Sequence, residues 1–243
     1  MQKYFVNESI ELNKSFKIES SDQHHIEKVM RNKNGDQIIC VDLKHIQYLC
    51  SIENVQEGTI LPIEKLDINN ELDVEVTLVY ALPKGDKFEF VLQKACELGV
   101  HHIIPLSSKR CVVKLTKDKF NKKLPRYQKI LSEQSGRNRI PSIEEVKTIK
   151  ELKPYLKDYN LVAYEETAKQ HEHGELFHTL QQLKAGDQLL IIVGCEGGFD
   201  ESEIQELNEM GVKCCSLGNR ILRSETAPLY LMSVIGYSRE LTK

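Results

Sequence analysis

The thirteen residues QLLIIVGCEGGFD (188–200) decide the fold. Leu189 to Val193 is an unbroken apolar run of strand length, without the alternation of a sheet that has one wet face. Such a run suits a strand buried on both faces, as in a parallel sheet covered by helices. It leads into Gly194, and Gly197 and Gly198 follow, so backbone there can lie close to a ligand. Asp200 then offers a helix N-cap and Glu203 the third-position acid of a capping box. They open the helix ESEIQELNEM (201–210), which Gly211 ends. The plain alternative is a tight strand-to-helix turn that binds nothing. Its position at the carboxyl end of a parallel strand favours binding.

Working outward, strands and helices alternate. VEVTLVYAL (74–82) is a strong strand, and KFEFVLQKACELGV (87–100) has a helical apolar period that stops at Gly99. Strand HHIIPLSS (101–108), a basic helical stretch (117–135), strand LVAYEE (161–166) and a helix near 175–184 come next; strand VKCCSLG (212–218) follows the capped helix. This alternation predicts an α/β domain with a parallel sheet over residues 73–243. The first 70 residues read differently. QIICVDL (37–43) and HIQYLCSI (45–52) are β-branched runs, a turn at Asn34-Gly35-Asp36 precedes the first, and HHIEKVMR (24–31) has helical spacing. That pattern predicts a small barrel-like domain over 1–70, with the boundary at Ile68-Asn69-Asn70.

The glycine loop is neither of the common phosphate cradles. Its spacing does not match G-x-G-x-x-G, and no Gly-Lys-Ser/Thr follows, which disfavours a nicotinamide enzyme or an NTPase. A second loop, GNRILRSETA (218–227), carries Arg220, Arg223 and Glu225 around the apolar pair Ile221 and Leu222. It reads either as a surface loop with an Arg–Glu ion pair or, with Leu217, as the apolar wall of a pocket for a flat ring such as adenine. Thr226 is the expected cap of the final helix, with Pro228 tolerated in its first turn.

Composition bounds the rest. With 243 residues, 40% hydrophobic and 28% charged, the chain can bury a core. No apolar run reaches the ~20 residues of a membrane span, the start MQKYFVNESIELNK has no signal-peptide core, and seven cysteines lack framework spacing. A cytoplasmic protein with reduced thiols and no membrane partner is expected. The net charge of −3 is unevenly spread. Residues 1–72 hold eight bases and twelve acids, whereas 107–141 hold eleven bases against only Asp118 and Glu133. Such a one-signed excess suits a polyanion. His24-His25, His101-His102 and His171-Glu172-His173 have no accompanying Cys-x-x-Cys, so no metal is expected. Cys214-Cys215 reads as core.

The motifs VGCEGGFDESEI (193–204) and LGNRILRSETA (217–227) resemble those of the SPOUT-class RNA methyltransferases. More narrowly, the chain resembles the ribosomal RNA small subunit methyltransferase E family. HHIEKVMR (24–31), LPKGDK (82–87), KACELGV (94–100) and the block from Glu133-Gln134-Ser135-Gly136-Arg137 through Pro141 resemble family blocks in the same order, over nearly the whole chain. Cys195 stands where the family usually has proline.

The resemblance implies a PUA-like β-barrel followed by an α/β domain with a C-terminal trefoil knot, acting as a homodimer. It implies S-adenosylmethionine (SAM) as cofactor, leaving as S-adenosylhomocysteine, and methylation of N3 of one uridine in the decoding region of bacterial 16S rRNA, position 1498 in the family's target. The substrate would be that rRNA, within the 30S subunit. Three loops would hold the cofactor. The first contributes Tyr164 and Glu165; the second Val193, Gly194, Glu196, Gly197 and Gly198. The third contributes Leu217, Gly218, Ile221, Leu222, Thr226 and Ala227. Arg223 is expected to stabilise charge on the uracil carbonyls, and Glu196 or Glu225 to orient the base or assist proton loss. RNA contacts are expected from Arg31 and Lys84, and from the basic stretch at Lys117, Lys122, Lys123, Arg126, Gln134, Arg137 and Arg139, with Arg137 nearest the site. The same fold could instead serve a tRNA base or a ribose hydroxyl, or a non-catalytic assembly factor.

Overall fold

The computed structural model describes residues 1–166 and 174–242, so His171-Glu172-His173 lies outside the described residues. The chain divides into two compact units: Met1–Asn70 with Gly136–Arg139, and Glu71–Ser135 with Ile140–Lys243.

The first unit is a five-stranded sheet. Its strands are β1 (Lys3–Phe5), β2 (Phe16–Lys17), β3 (Gln37–Val41), β4 (Gln47–Asn54) and β5 (Thr59–Leu66), in the order β1-β3-β4-β5-β2. Only β1 and β3 pair in parallel. Tyr4, Ile26, Ile38, Cys40, Cys50, Ile52 and Ile60 fill its interior. The helical segment expected at 24–31 starts earlier, as α1 (Ser20–His24), and continues through one wider turn (His25–Val29) that ends at Arg31 in the left-handed region. β4 begins two residues later than expected. Asp42 Oδ1 accepts the amide hydrogens of Lys44 (2.8 Å) and Ile46 (3.0 Å), and this side-chain turn holds residues 42–46 out of the ladder.

Asn138 completes this unit from far along the chain. Its Oδ1 accepts from Gln47 Nε2 (2.8 Å) and the Asn70 amide (3.0 Å), and its Nδ2 donates to the carbonyls of His45 (2.9 Å) and Ile68 (3.0 Å). Both Asn138 and Gln47 are buried, so the amide is fully used where water cannot replace its partners.

The second unit is a six-stranded parallel sheet. Its strands are β6 (Glu75–Ala81), β7 (His102–Leu106), β8 (Ser142–Ile143), β9 (Tyr159–Ala163), β10 (Gln188–Val193) and β11 (Lys213–Cys215). The order is β11-β9-β10-β6-β7-β8, and every pairing is parallel. The central strands β6 and β10 are the apolar runs of the sequence, buried from Val76 to Ala81 and from Leu189 to Val193. From β6 the chain builds outward to β7 and β8 on one side, then returns to place β10 on the other. This reversal leaves the carboxyl ends of β6 and β10 adjacent, with Val193 opposite Tyr80. In open parallel sheets that crevice is where ligands bind.

The helices of this unit are α2 (Lys87–Glu97), α3 (Lys117–Gln134), α4 (Glu175–Gln182), α5 (Glu201–Glu209) and α6 (Thr226–Gly236). α3 buries Phe120, Tyr127 and Leu131, and Tyr127 packs edge-on against Phe88 of α2 with ring centres 5.2 Å apart. Lys119, Lys122, Lys123, Arg126 and Lys129 occupy its exposed face. Thr226 is not the cap of α6. Glu225 holds that position without a side-chain cap bond, and the Arg223 carbonyl accepts from the amides of Thr226 (2.9 Å) and Ala227 (3.1 Å). No described helix is long and apolar enough to cross a membrane.

Candidate active site

The loops after β6, β7, β9, β10 and β11 leave the carboxyl edge of the parallel sheet. The loop after β10 turns back at once, the Gly198 amide donating to the Cys195 carbonyl (2.9 Å). Gly198 adopts φ +65°, a conformation glycine holds without strain. At Gly194 a Cβ would stand 3.1 Å from Gly198 Cα and 3.3 Å from the Phe199 ring, so a side chain there is accepted only if those neighbours give way. The expected capping box forms: Asp200 Oδ1 accepts from the Ser202 amide (3.2 Å), and Glu203 Oε2 accepts from the Asp200 amide (3.0 Å).

The loop after β7 braces this turn. Buried Glu203 also accepts the Lys109 amide hydrogen (2.7 Å). Arg110 donates to the Gly197 carbonyl (3.2 Å) and pairs with Asp200 (3.7 Å), and Lys109 pairs with Asp200 at the same distance. Two bases of the positive stretch therefore hold the glycine loop. Ser108 Oγ lies 3.1 Å from Cys111 Sγ and 4.0 Å from Cys195 Sγ, all three residues being buried. A hydrogen bond from Cys111, with further ones from the Gly197 amide and Ser108, outweighs burial and pulls the Cys195 thiol down to about 6; the Cys111 thiol moves the opposite way.

The loops after β6, β10 and β11 meet at one cation. Lys87, the first residue of α2, places Nζ 3.0 Å from Glu196 and 2.9 Å from Glu225. Glu196 also accepts the Lys84 amide hydrogen (3.2 Å), and Glu225 accepts from Ser224 Oγ (3.2 Å). Burial alone would push both carboxyls up. Hydrogen bonds from each residue's own amide and from Lys87 reverse that and hold both below the usual carboxylate range. The Lys87 ammonium is raised, chiefly by its bond to Glu225 and then by that to Glu196. The ion pair expected within the second loop is thus made with Lys87 instead of an arginine.

On the loop after β11, Leu217, Gly218 and Leu222 are half-buried, while Ile221, Arg220 and Arg223 are exposed. Tyr164 is tied to the third loop by its amide bond to the Cys215 carbonyl (3.1 Å), and Glu165 is exposed. An open cleft of about 610 Å³ between Tyr164, Glu166 and α5 shares only Tyr164 with these residues, and its acidic lining marks no reaction. Arg137 belongs to the first unit and is buried. Arg126 is exposed and paired with Glu89 (2.7 Å). Sequence reasoning missed Lys87, although a lysine in the first turn of a helix opposes the helix dipole and so calls for carboxylate partners. Among the described residues no cluster of three or more His, Cys, Asp or Glu could hold a metal ion.

Comparison with known proteins agrees with this architecture. Residues 70–236 match the RNA methyltransferase domain family, and residues 18–61 match the RNA methyltransferase PUA domain. The chain is 41% identical to the ribosomal RNA small subunit methyltransferase E of Bacillus subtilis, covering 100% of this chain and 99% of that one. It is 35% identical to the enzyme of that name from Mesomycoplasma hyopneumoniae, over 96% and 98% of the two chains. The crystal structure of a Neisseria gonorrhoeae ribosomal RNA small subunit methyltransferase E bound to S-adenosyl methionine superposes with a TM-score of 0.84 at 27% identity, covering 97% of this chain and 96% of that one. A putative methyltransferase from Legionella pneumophila, in complex with bound SAM, gives 0.81 at the same identity, over 96% of each chain. A PUA domain precedes the parallel-sheet domain, and the chain belongs to the ribosomal RNA small subunit methyltransferase E family of RNA methyltransferases.

Proposed function

We propose that this protein transfers a methyl group from SAM to N3 of a uridine in the decoding region of 16S rRNA, yielding 3-methyluridine. The observation that carries the reading is the junction of Glu196, Lys87 and Glu225 beside the glycine loop, at the crevice where the sheet order reverses. The residues there suit SAM. Gly194 and Gly197 keep side-chain bulk out of the loop, a Cβ at Gly197 standing 3.0 Å from Arg110 Cβ. Two carboxylates share one ammonium, leaving negative charge for a sulfonium. Leu217, Ile221 and Leu222 supply apolar surface for the adenine ring, and Tyr164, Glu165, Val193, Gly194, Gly197, Gly198, Gly218, Thr226 and Ala227 complete the cofactor loops. Bound SAM supplies the electrophilic methyl.

Uridine N3 carries a proton, so its attack requires that the uracil ring hold negative charge as the proton leaves. Exposed Arg223 is the cation placed to stabilise that charge on the carbonyl oxygens. Glu196 or Glu225, held ionised by Lys87, orients the extruded base as a hydrogen-bond acceptor and takes the N3 proton as the methyl is transferred, with S-adenosylhomocysteine leaving. The first 70 residues form the RNA-binding barrel, and residues 73–243 the methyltransferase domain with its knotted cofactor loops. Phosphate contacts come from Lys84, Arg31 and Arg139, and from Lys117, Lys122, Lys123 and Arg126 with Gln134 at the end of α3. The enzyme works as a cytoplasmic homodimer on the 30S subunit.

The test is transfer of labelled methyl from SAM to 30S subunits lacking the modification, followed by nucleoside analysis. Label in 3-methyluridine of 16S rRNA is expected. Label in tRNA or on ribose would discard the substrate assignment. Arg223→Ala should lower kcat at least a hundredfold with cofactor affinity kept, as for loss of one oxyanion donor; full turnover would remove Arg223 from the mechanism.

A further inference from the structure

Lys87 sits where its own helix disfavours it. It is the first residue of α2, at the positive end of the helix dipole, and its ammonium is about one-third exposed, free to reach water. Its stem is fixed all the same, because the next residue, Phe88, is buried between Tyr80 of β6 and Tyr127 of α3. From that anchored start the side chain reaches two carboxylates, 109 and 138 positions further on, that lie on different loops. Glu196 belongs to the glycine loop after β10, and Glu225 ends the loop after β11. Both oxygens approach the one nitrogen within 3.0 Å, so the two carboxylates lie well inside a screening length of each other. Without the ammonium the two carboxylates repel, and among the described residues no other ion pair joins the loops that carry them.

We propose that Lys87 is a positioning residue for the cofactor site: its ammonium draws the loops after β10 and β11 together and sets the affinity for SAM. The inference rests on reading those loops as the cofactor loops. It goes further in assigning the closure of the site to a side chain outside all three of them. Lys87 acts through Glu196 and Glu225. The anchored helix start acts as a fixed post, and the ammonium spares two like charges their repulsion before any ligand arrives, so that less of the binding energy is spent on gathering the loops.

The experiment is calorimetric titration of the full chain with SAM alone, which needs no RNA. Lys87→Met should weaken SAM binding about tenfold. Lys87→Arg, which keeps the charge, should stay within about threefold of the wild type. The discriminating variant is the double substitution Lys87→Met with Glu225→Gln. Removing one carboxylate along with the cation abolishes the repulsion, so the double variant should bind SAM more tightly than Lys87→Met, near the level of Glu225→Gln alone. A merely structural lysine gives no such recovery, and thermal melts of all four variants report whether each is folded. Unchanged affinity in folded Lys87→Met, or a double variant no better than the single one, would overturn the proposal. SAM binding that follows this pattern while methyl appears elsewhere than N3 would sink the substrate assignment and leave the role of Lys87 standing. A wild-type chain that binds no SAM would sink both.

Discussion

Substituting Gly194 by alanine tests whether the turn after β10 is as tightly built as its contacts state. The added Cβ would meet Gly198 Cα at 3.1 Å, the Gly198 carbonyl carbon at 3.2 Å and Phe199 Cε2 at 3.3 Å. Carbon pairs rest at about 3.5–4.0 Å, so all three neighbours must give by a few tenths of an ångström. None can do so freely. Two are backbone atoms of a residue at φ +65°, and the third belongs to a ring that is 2% exposed. Overpacking of this kind costs about 1–3 kcal/mol, or roughly 2–12 °C in Tm for a chain of this size. Relief by displacing Gly198 would also move Glu196 and weaken SAM binding about tenfold or more. Gly198→Ala is the informative contrast, since a Cβ there meets nothing within 4 Å and only the left-handed backbone is strained. It should cost about 1 kcal/mol of stability with a smaller effect on affinity. Gly136→Ala, open and unstrained, is the control. Differential scanning calorimetry and SAM titration on the three variants give the comparison. Gly194→Ala with unchanged Tm and a Kd within twofold of the wild type would refute the contact argument.

Three further outcomes are expected. Replacing Lys117, Lys119, Lys122 and Lys123 by glutamine should weaken RNA binding and lower the slope of log K against log salt by about 3, measured by filter binding; an unchanged slope would clear α3 of phosphate contact. The Cys195 thiol should ionise below the ordinary cysteine range, followed by thiolate absorbance as pH is varied, and Cys111→Ala should move that inflection upward because the Cys111 hydrogen bond is the largest cause of the lowering. An inflection that stays put would show the two thiols to be uncoupled. Asn138→Ala removes four hydrogen bonds from a buried side chain and should destabilise the protein by about 2–4 kcal/mol in thermal unfolding; an unchanged Tm would show that these bonds contribute nothing.

What could be read from the sequence was local. The apolar runs of β6 and β10 announce strands covered on both faces, and the Asp200–Glu203 box fixes where α5 begins, because each depends on neighbours within a few positions. Charge was read less well, because its meaning depends on distant partners. Lys109 and Arg110 count toward a positive stretch in the sequence, yet both pair with Asp200 some ninety positions on. Lys87 joins Glu196 and Glu225, a constellation with no sequence spacing to betray it. The two-residue delay of β4 follows from an aspartate turn, which competes with the strand pattern that the apolar residues suggest. Arg137 carries the charge of a phosphate ligand and is nevertheless buried, which no local pattern announces.

The four hydrogen bonds of Asn138 impose an order on the birth of the molecule. Gln47 and the backbone of His45, Ile68 and Asn70 leave the ribosome early, but the amide that satisfies them follows Asn70 by 68 positions. At ~5–20 residues per second the wait is roughly 3–14 s. During it the first sheet can collapse around Ile38, Ile52 and Ile60 while its last buried polar groups go unanswered. A nascent chain halted after Asn70 would therefore hold a sheet without its keystone.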